Sequence, residues 1–166
     1  VWQIHYTPTG KREKDLSKVG MIFADEPIKG IMHTAMAGNS RFRIPPHDPA
    51  YKVEATRTIR RDATIYSFTP HMHVRGKSMD FFLQYPDGRE SHVCSIPKYD
   101  FNWQQDYKLV EPLKVPGGTK VHVVAYFDNS EGNPYNPDPS VEVTWGEQTH
   151  EEMLLGGYFL TFDDES

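Results

Sequence analysis

The sequence predicts an all-β protein built as an antiparallel β-sandwich or jelly roll, and three observations lead to this prediction. Thirteen prolines and twelve glycines are spread through the 166 residues, which leaves little room for a regular helix. Short segments rich in β-branched and aromatic residues recur along the chain. Turn-forming residues separate these segments, and many short strands joined in this way are typical of sandwiches and jelly rolls.

Strands are predicted along the whole chain. Pro86, Asp87 and Gly88 lie between two of them and predict a hairpin. Residues 128–140 carry three prolines and three asparagines and are predicted as a long surface loop. The predicted strands, in chain order, are 1–6, 19–24, 51–59, 64–68, 79–85, 92–96, 107–110, 119–127 and 155–162.

The chain is predicted to have two parts. Asp25, Glu26 and Pro27 form a turn-rich seam between them. Residues 1–27 are therefore expected to be the end of a preceding segment that packs on the rest, and residues 28–166 to form a single sandwich domain. Because the chain begins inside a strand-like pattern without a start methionine, we also expect further sequence upstream.

Composition argues against several classes of function. A net charge of -5 without a block of Lys or Arg argues against nucleic acid or an anionic membrane as partner. No apolar run approaches the ~18 residues of a membrane span. The single cysteine, Cys94, excludes an internal disulfide and Cys-based zinc motifs, and its apolar strand predicts a buried, unreactive thiol.

Two histidines, His71 and His73, follow a predicted strand. Alternate residues of a strand point to the same face, so their Cα atoms lie roughly 6.5 Å apart at ~3.3 Å per residue. Two imidazoles at that separation can converge on one ion with bonds of about 2.0 to 2.1 Å, whereas Met72 between them faces the core. Two exposed histidines on a wet strand face need no ligand, however, so the pair alone leaves both interpretations open.

A third donor is available near the C-terminus. Met153 follows two glutamates and precedes the last apolar strand. A methionine at such a position ordinarily fills a core. Its thioether is also a soft ligand, and two imidazoles with one thioether favour Cu(I) over zinc.

These segments together resemble the copper type II, ascorbate-dependent monooxygenases, the family of the peptidylglycine α-hydroxylating and dopamine β-monooxygenases. That family carries a His-x-His strand followed by a Gly-Lys or Gly-Arg pair, and later a Glu-Met. The matches here are HMHVRGK at residues 71–77 and EEM at residues 151–153. The stretches VWQIHYTPTG, QYPDGRESHV and VPGGTKVHVVAYFDN resemble further parts of the family in the same order, so the resemblance covers nearly the whole chain.

The resemblance implies a function. His71, His73 and Met153 would hold the copper that, with dioxygen, hydroxylates an aliphatic C–H of a small substrate. Ascorbate is the family's reductant, and a second copper held by three histidines lies in a preceding domain. Residues 1–27 would end that copper domain and residues 28–166 would form the catalytic jelly roll. The family works outside the cytoplasm, which implies an extracytoplasmic location.

The sequence departs from the family in two places. Of the second copper's three histidines only the last maps here, onto His5, so the chain by itself is expected to be inactive. Where the peptide-hydroxylating members grip a peptide carboxylate, this chain has Thr69, Leu155 and Gly157. These three residues argue against a peptide terminus as substrate.

Whether the chain acts as an enzyme stays open on sequence alone. The first hypothesis is the catalytic domain of a copper monooxygenase. The second is a copper-binding or protein-interaction module with the same fold and no such activity. The third is a zinc hydrolase, which requires Glu151 or Glu152, rather than Met153, beside the two histidines.

Overall fold

The chain folds into a β-sandwich, as a computed structural model shows. It describes residues 4, 6, 9–27 and 30–165. Within that part the only helix is a single 3₁₀ turn, Asp163–Glu165, so no helix there is long and apolar enough to cross a bilayer. The strands are β1 His33–Asn39, β2 Arg43–Ile44, β3 Tyr51–Thr58, β4 Ala63–His71, β5 Gly76–Gln84, β6 Glu90–Ile96, β7 Tyr107–Val115, β8 Lys120–Phe127, β9 Val143–Thr144 and β10 Leu154–Phe162.

Two four-stranded antiparallel sheets form the sandwich. The strand order is β1-β10-β4-β7 in one sheet and β3-β8-β5-β6 in the other, while β2 and β9 form a separate pair. The inner faces touch where the Phe68 ring of β4 lies 4.9 Å from the Phe81 ring of β5. Gly156 of β10 sits so close to the second sheet that a Cβ there would lie 2.5 Å from Val123. The prediction of an antiparallel all-β protein is confirmed, and the jelly-roll topology stays a prediction.

Most predicted strands are confirmed. Apolar residues alternate along them and face the core. In β8 the residues Val121, Val123, Ala125 and Phe127 are buried and the residues between them are half-buried or exposed. The hairpin at Pro86–Gly88 is also confirmed, since Tyr85 N–H donates to the Arg89 carbonyl at 2.8 Å and β5 pairs with β6. Three strands were missed, β1, β2 and β9, because the latter two have only two residues each and β1 is rich in Ala and Gly.

The N-terminal part differs from the prediction. The predicted strand 19–24 is wrong, because residues 9–27 form no strand and are exposed, including the apolar Ile22 and Phe23. In the part of the chain that the structure describes, no neighbouring strand offers residues 19–24 a ladder of hydrogen bonds. Most of the predicted strand 1–6 lies outside the described residues. The division at residue 27 stays a prediction.

The loop 128–140 contains no strand, as predicted, but it is anchored in the protein. The Asn129 side chain is fully buried. Its amide nitrogen donates to the carbonyls of Pro45 and Val141, each at 2.9 Å. The loop is therefore fixed at its base, close to the turn that follows β4.

Candidate metal centre

The three predicted ligands line one cleft. His71, His73 and Met153 surround a cavity of about 370 Å³, together with the side chains Phe101, Gln104, Glu147 and Thr149. Strand pairing explains the meeting: β4 and β10 are antiparallel neighbours, and His71 lies opposite Leu155. Continued by two residues, the same register sets His73 opposite Met153. Residues distant in sequence thus come together because the last strand pairs with the strand that leads to the histidines.

The two imidazoles lie side by side. Their ring centroids are 5.3 Å apart and the ring planes are nearly perpendicular, at 85°. Met72 between them is fully buried, as the alternation predicts. A proline has no N–H and is expected to end the ladder, but Pro70 pairs with Gly156 and the ladder continues to His71.

Hydrogen bonds fix the tautomer of both rings. Gln104 donates its amide nitrogen to the Phe101 carbonyl at 2.8 Å, so its amide oxygen is left as an acceptor. His71 Nδ1 lies 2.5 Å from that oxygen and must therefore carry the proton. His73 Nδ1 donates to the Glu151 carbonyl at 3.1 Å. In its neutral form each ring therefore has the lone pair on Nε2, which is the form that binds a metal.

Burial keeps His73 neutral. The side chain is almost fully buried, and this burial lowers the pKa of His73 below its ordinary value. The adjacent His71 charge lowers this pKa further, while the Glu151 carbonyl offsets part of the shift. A neutral imidazole next to a thioether is ready to bind a metal without first losing a proton.

A buried carboxylate joins the two ligand-bearing segments. Glu152 is fully buried and accepts backbone N–H groups of His73 at 2.8 Å, of Arg75 at 2.6 Å and of Met153 at 3.3 Å. Burial raises the pKa of Glu152 to about 7, although the N–H donors of Arg75 and His73 lower it. One side chain therefore holds the backbone of His73 and of Met153 in fixed relation.

A buried arginine anchors the surrounding loops. Arg75 is 1% exposed, which is rare for an arginine. Its guanidinium donates to Asn129 Oδ1 at 2.8 Å, to the His150 carbonyl at 2.8 Å and to the Asp138 carbonyl at 3.5 Å. Burial lowers the pKa of Arg75, and the Glu152 charge opposes that shift. The side chain ties the loop 128–140 to the segment just before Met153.

The remaining sequence candidates lie elsewhere. His5 lies outside the described residues. His150 is exposed and does not line the cleft. The Glu151 carboxylate accepts the Gln148 N–H at 2.9 Å, and the Glu152 carboxylate is taken up by backbone donors, so neither lines the cleft as a zinc site would require. Among residues 9–27 and 30–165 there is no cluster of three or more His, Cys, Asp or Glu able to hold a metal.

The donor set suits copper. Two imidazoles and one thioether are soft to intermediate ligands, and thioether sulfur favours Cu(I). Sequence reasoning missed Gln104 and Phe101, which lie on the segment between β6 and β7. Only their polar and aromatic character near a turn could have indicated them. In comparisons with known protein families and with curated proteins, the chain has no match. The assignment of the metal therefore depends on the residues themselves.

Proposed function

We propose that the chain is the methionine-bearing copper domain of a copper- and ascorbate-dependent monooxygenase, which hydroxylates an aliphatic C–H of a small substrate with O₂. One observation carries the proposal: the same cleft is lined by His71, His73 and Met153. The two histidines come from the end of β4 and the residues just after it, and the methionine from a segment near the C-terminus. Strand pairing brings the three side chains together, and two imidazoles with one thioether are the donor set that Cu(I) prefers. The resemblance to the monooxygenase family supplies the chemistry.

His71, His73 and Met153 would hold the ion. When bound there, copper supplies the activation of O₂ that C–H hydroxylation needs. Gln104 and the Glu151 carbonyl orient the two rings so that each Nε2 faces away from its hydrogen bond. The Phe101 ring lies 6.0 Å from the His73 ring and forms an apolar wall of the cleft, which keeps water away from that side.

The substrate is proposed to be a small molecule rather than a peptide terminus. The Thr69 hydroxyl donates to Asp106 Oδ1 at 2.6 Å and is therefore already used. Leu155 and Gly157 offer no charged group to a carboxylate. Ascorbate as reductant, an upstream copper domain and an extracytoplasmic location belong to the same proposal.

Copper affinity tests the proposed ligand set. Cu(I) binding is measured by competition with a chromophoric chelator for the wild type, Met153→Ala and Met21→Ala. Met21 is an exposed methionine on the segment before the sandwich and serves as the matched control. We expect Met153→Ala to lose about tenfold or more in Cu(I) affinity and Met21→Ala to keep the wild-type affinity. Loss of a residue that only orients a ligand already costs about tenfold, and loss of a ligand should cost at least as much. Full Cu(I) affinity in Met153→Ala would overturn the assignment.

A copper-binding module without oxygenase activity is the second candidate. It needs only His71, His73 and Met153, which line the cleft, and it requires no second metal site. Oxygen uptake driven by ascorbate in the copper-loaded, full-length protein separates the two. Uptake that requires Met153 supports the monooxygenase, whereas copper binding without uptake supports the module.

A further inference from the structure

The sandwich is open along one side. β1 and β3 are the edge strands of the two sheets and lie next to each other, so the space between the inner faces reaches the surface there. A cleft of about 680 Å³ occupies this opening. Buried residues form its apolar floor, among them Ile59 and Leu160, and Ala35 and Phe162 complete it.

An arginine occupies an inner-face position at this opening. Residues directly opposite each other in an antiparallel ladder point to the same side, and Arg57 pairs with Val121, which is fully buried. Arg57 follows the core residues Val53 and Ala55 at alternate positions, where the pattern calls for another apolar side chain. One nitrogen of its guanidinium donates to the Met36 carbonyl at 3.3 Å across the gap.

A buried hydroxyl points into the same cleft. Tyr158 is 1% exposed, lines the cleft and has no hydrogen-bond partner for its hydroxyl within the described part of the chain. Among the described residues, the side-chain atom that is both sealed from solvent and without a hydrogen-bond partner is Thr119 Oγ1. The Tyr158 oxygen is not such an atom, so it still reaches solvent through the cleft. Burial raises the pKa of Tyr158, and the positive charge of Arg57, which lines the same cleft, lowers it. A hydroxyl without a partner among the described residues, at the wall of a cleft, can donate a hydrogen bond to a ligand there.

The cleft has an excess of positive charge. Three arginines line it, and none of the described residues that line it is acidic. Arg61 is neutralised by Asp164 and Glu165 and stacks on Phe162. Arg60, by contrast, has no hydrogen bond or ion pair to any described residue. Two cationic groups and one free hydroxyl thus surround an apolar floor.

We propose that this cleft binds a small amphipathic carboxylate, a molecule with one carboxylate on an apolar body. The carboxylate would accept hydrogen bonds from Arg57 and from the Tyr158 hydroxyl, and the apolar body would lie on Leu160 and Ile59. The cleft is separate from the metal centre. The two clefts share no lining residue among those described, and along β10 the nearest residue of this cleft, Tyr158, lies five residues from Met153, or about 16 Å at ~3.3 Å per residue.

The wild type tests the proposal without any variant. Metal-free protein is titrated with octanoate, 1-octanol, acetate and octyl phosphate by calorimetry, and the binding position is followed by NMR shifts of Tyr158 and Leu160. We expect octanoate to bind at one site, at least about tenfold more tightly than octanol and acetate, because a hydrogen bond to a charged group strengthens binding by about that factor. Octanol binding as tightly as octanoate, octyl phosphate binding more tightly, or no saturable octanoate binding would each overturn it.

Variants then locate the head group. Arg57→Gln is expected to weaken octanoate about tenfold and Tyr158→Phe about fivefold, with octanol unaffected in both. Arg41→Gln, at an exposed arginine outside the cleft, is the matched control. Octanoate affinity unchanged in both Arg57→Gln and Tyr158→Phe contradicts the proposal. Because the titration uses metal-free protein, its failure leaves the copper assignment untouched.

Discussion

The Tyr99 hydroxyl bonds both backbone polar groups of Met72, the residue between the two histidines. It donates to the Met72 carbonyl at 2.6 Å and accepts the Met72 N–H at 3.0 Å. Tyr99 is buried, and this burial raises its pKa. Gly76 allows the approach, since a Cβ there would lie 2.7 Å from both Met72 Cβ and the Tyr99 ring. Tyr99 thus replaces the neighbouring strand that Met72 lacks, and it fixes the backbone of the His-Met-His segment.

Tyr99→Phe should destabilise the fold and loosen the metal centre. The change leaves a buried N–H and a buried carbonyl of Met72 without partners, which costs about 1 to 3 kcal/mol in the free energy of unfolding. Urea denaturation of the metal-free protein measures this loss, and Cu(I) affinity measures the effect on the site. Tyr135→Phe, at an exposed tyrosine of the loop 128–140, is the control. Equal stability of Tyr99→Phe and wild type would show that water satisfies Met72.

Arg75→Lys should destabilise the protein by about 2 kcal/mol or more, although it keeps the positive charge. A lysine cannot reach the three acceptors that the guanidinium holds, and an ammonium group is more strongly hydrated and so harder to bury. Thermal and urea unfolding measure the loss. Arg41→Lys on the surface should change stability by less than about 0.5 kcal/mol. Similar small changes for both variants would contradict the anchoring role of Arg75.

The sequence predicts the sandwich because alternation and turn residues act locally. β8, for example, alternates apolar residues that face the core, and Pro86–Gly88 determines a hairpin without help from distant residues. The prediction also included the three cleft residues: strand alternation indicated the histidine pair, soft-ligand chemistry indicated Met153, and the resemblance joined them in one site. Nothing in the sequence could place Arg75 and Glu152 inside the protein, because burial of a charge depends on partners that folding alone brings within reach. Residues 19–24 are wrongly predicted as a strand for a related reason, since a run of apolar, β-branched and aromatic residues does not reveal whether a neighbouring strand exists.

Gln104→Ala should weaken copper binding while leaving the fold intact. Gln104 holds the Nδ1 proton of His71, and removal of such an orienting partner typically lowers metal affinity about 10- to 100-fold. The side chain is exposed, so its loss should change the free energy of unfolding by less than about 0.5 kcal/mol. Cu(I) competition and urea unfolding are measured together. Gln105→Ala changes the adjacent exposed glutamine and is the matched control; equal Cu(I) affinities for the two variants would remove Gln104 from the site.

Cys94 should react slowly with iodoacetamide at pH 8. The side chain is half-buried rather than fully buried as the sequence predicts, so the reagent can reach it. Burial raises the pKa of the thiol, and the nearby Asp80 charge adds to the increase. Only the thiolate reacts, and a raised pKa means a smaller thiolate fraction at a given pH. The alkylation rate should therefore be lower than that of an unstructured cysteine peptide. It should also keep rising above pH 9. Mass spectrometry of samples quenched over time gives the rate.

Asp80→Asn should increase the alkylation rate at pH 8, because removal of the negative charge lowers the pKa of Cys94. If the wild-type protein reacted as fast as the peptide, the thiol would not be perturbed.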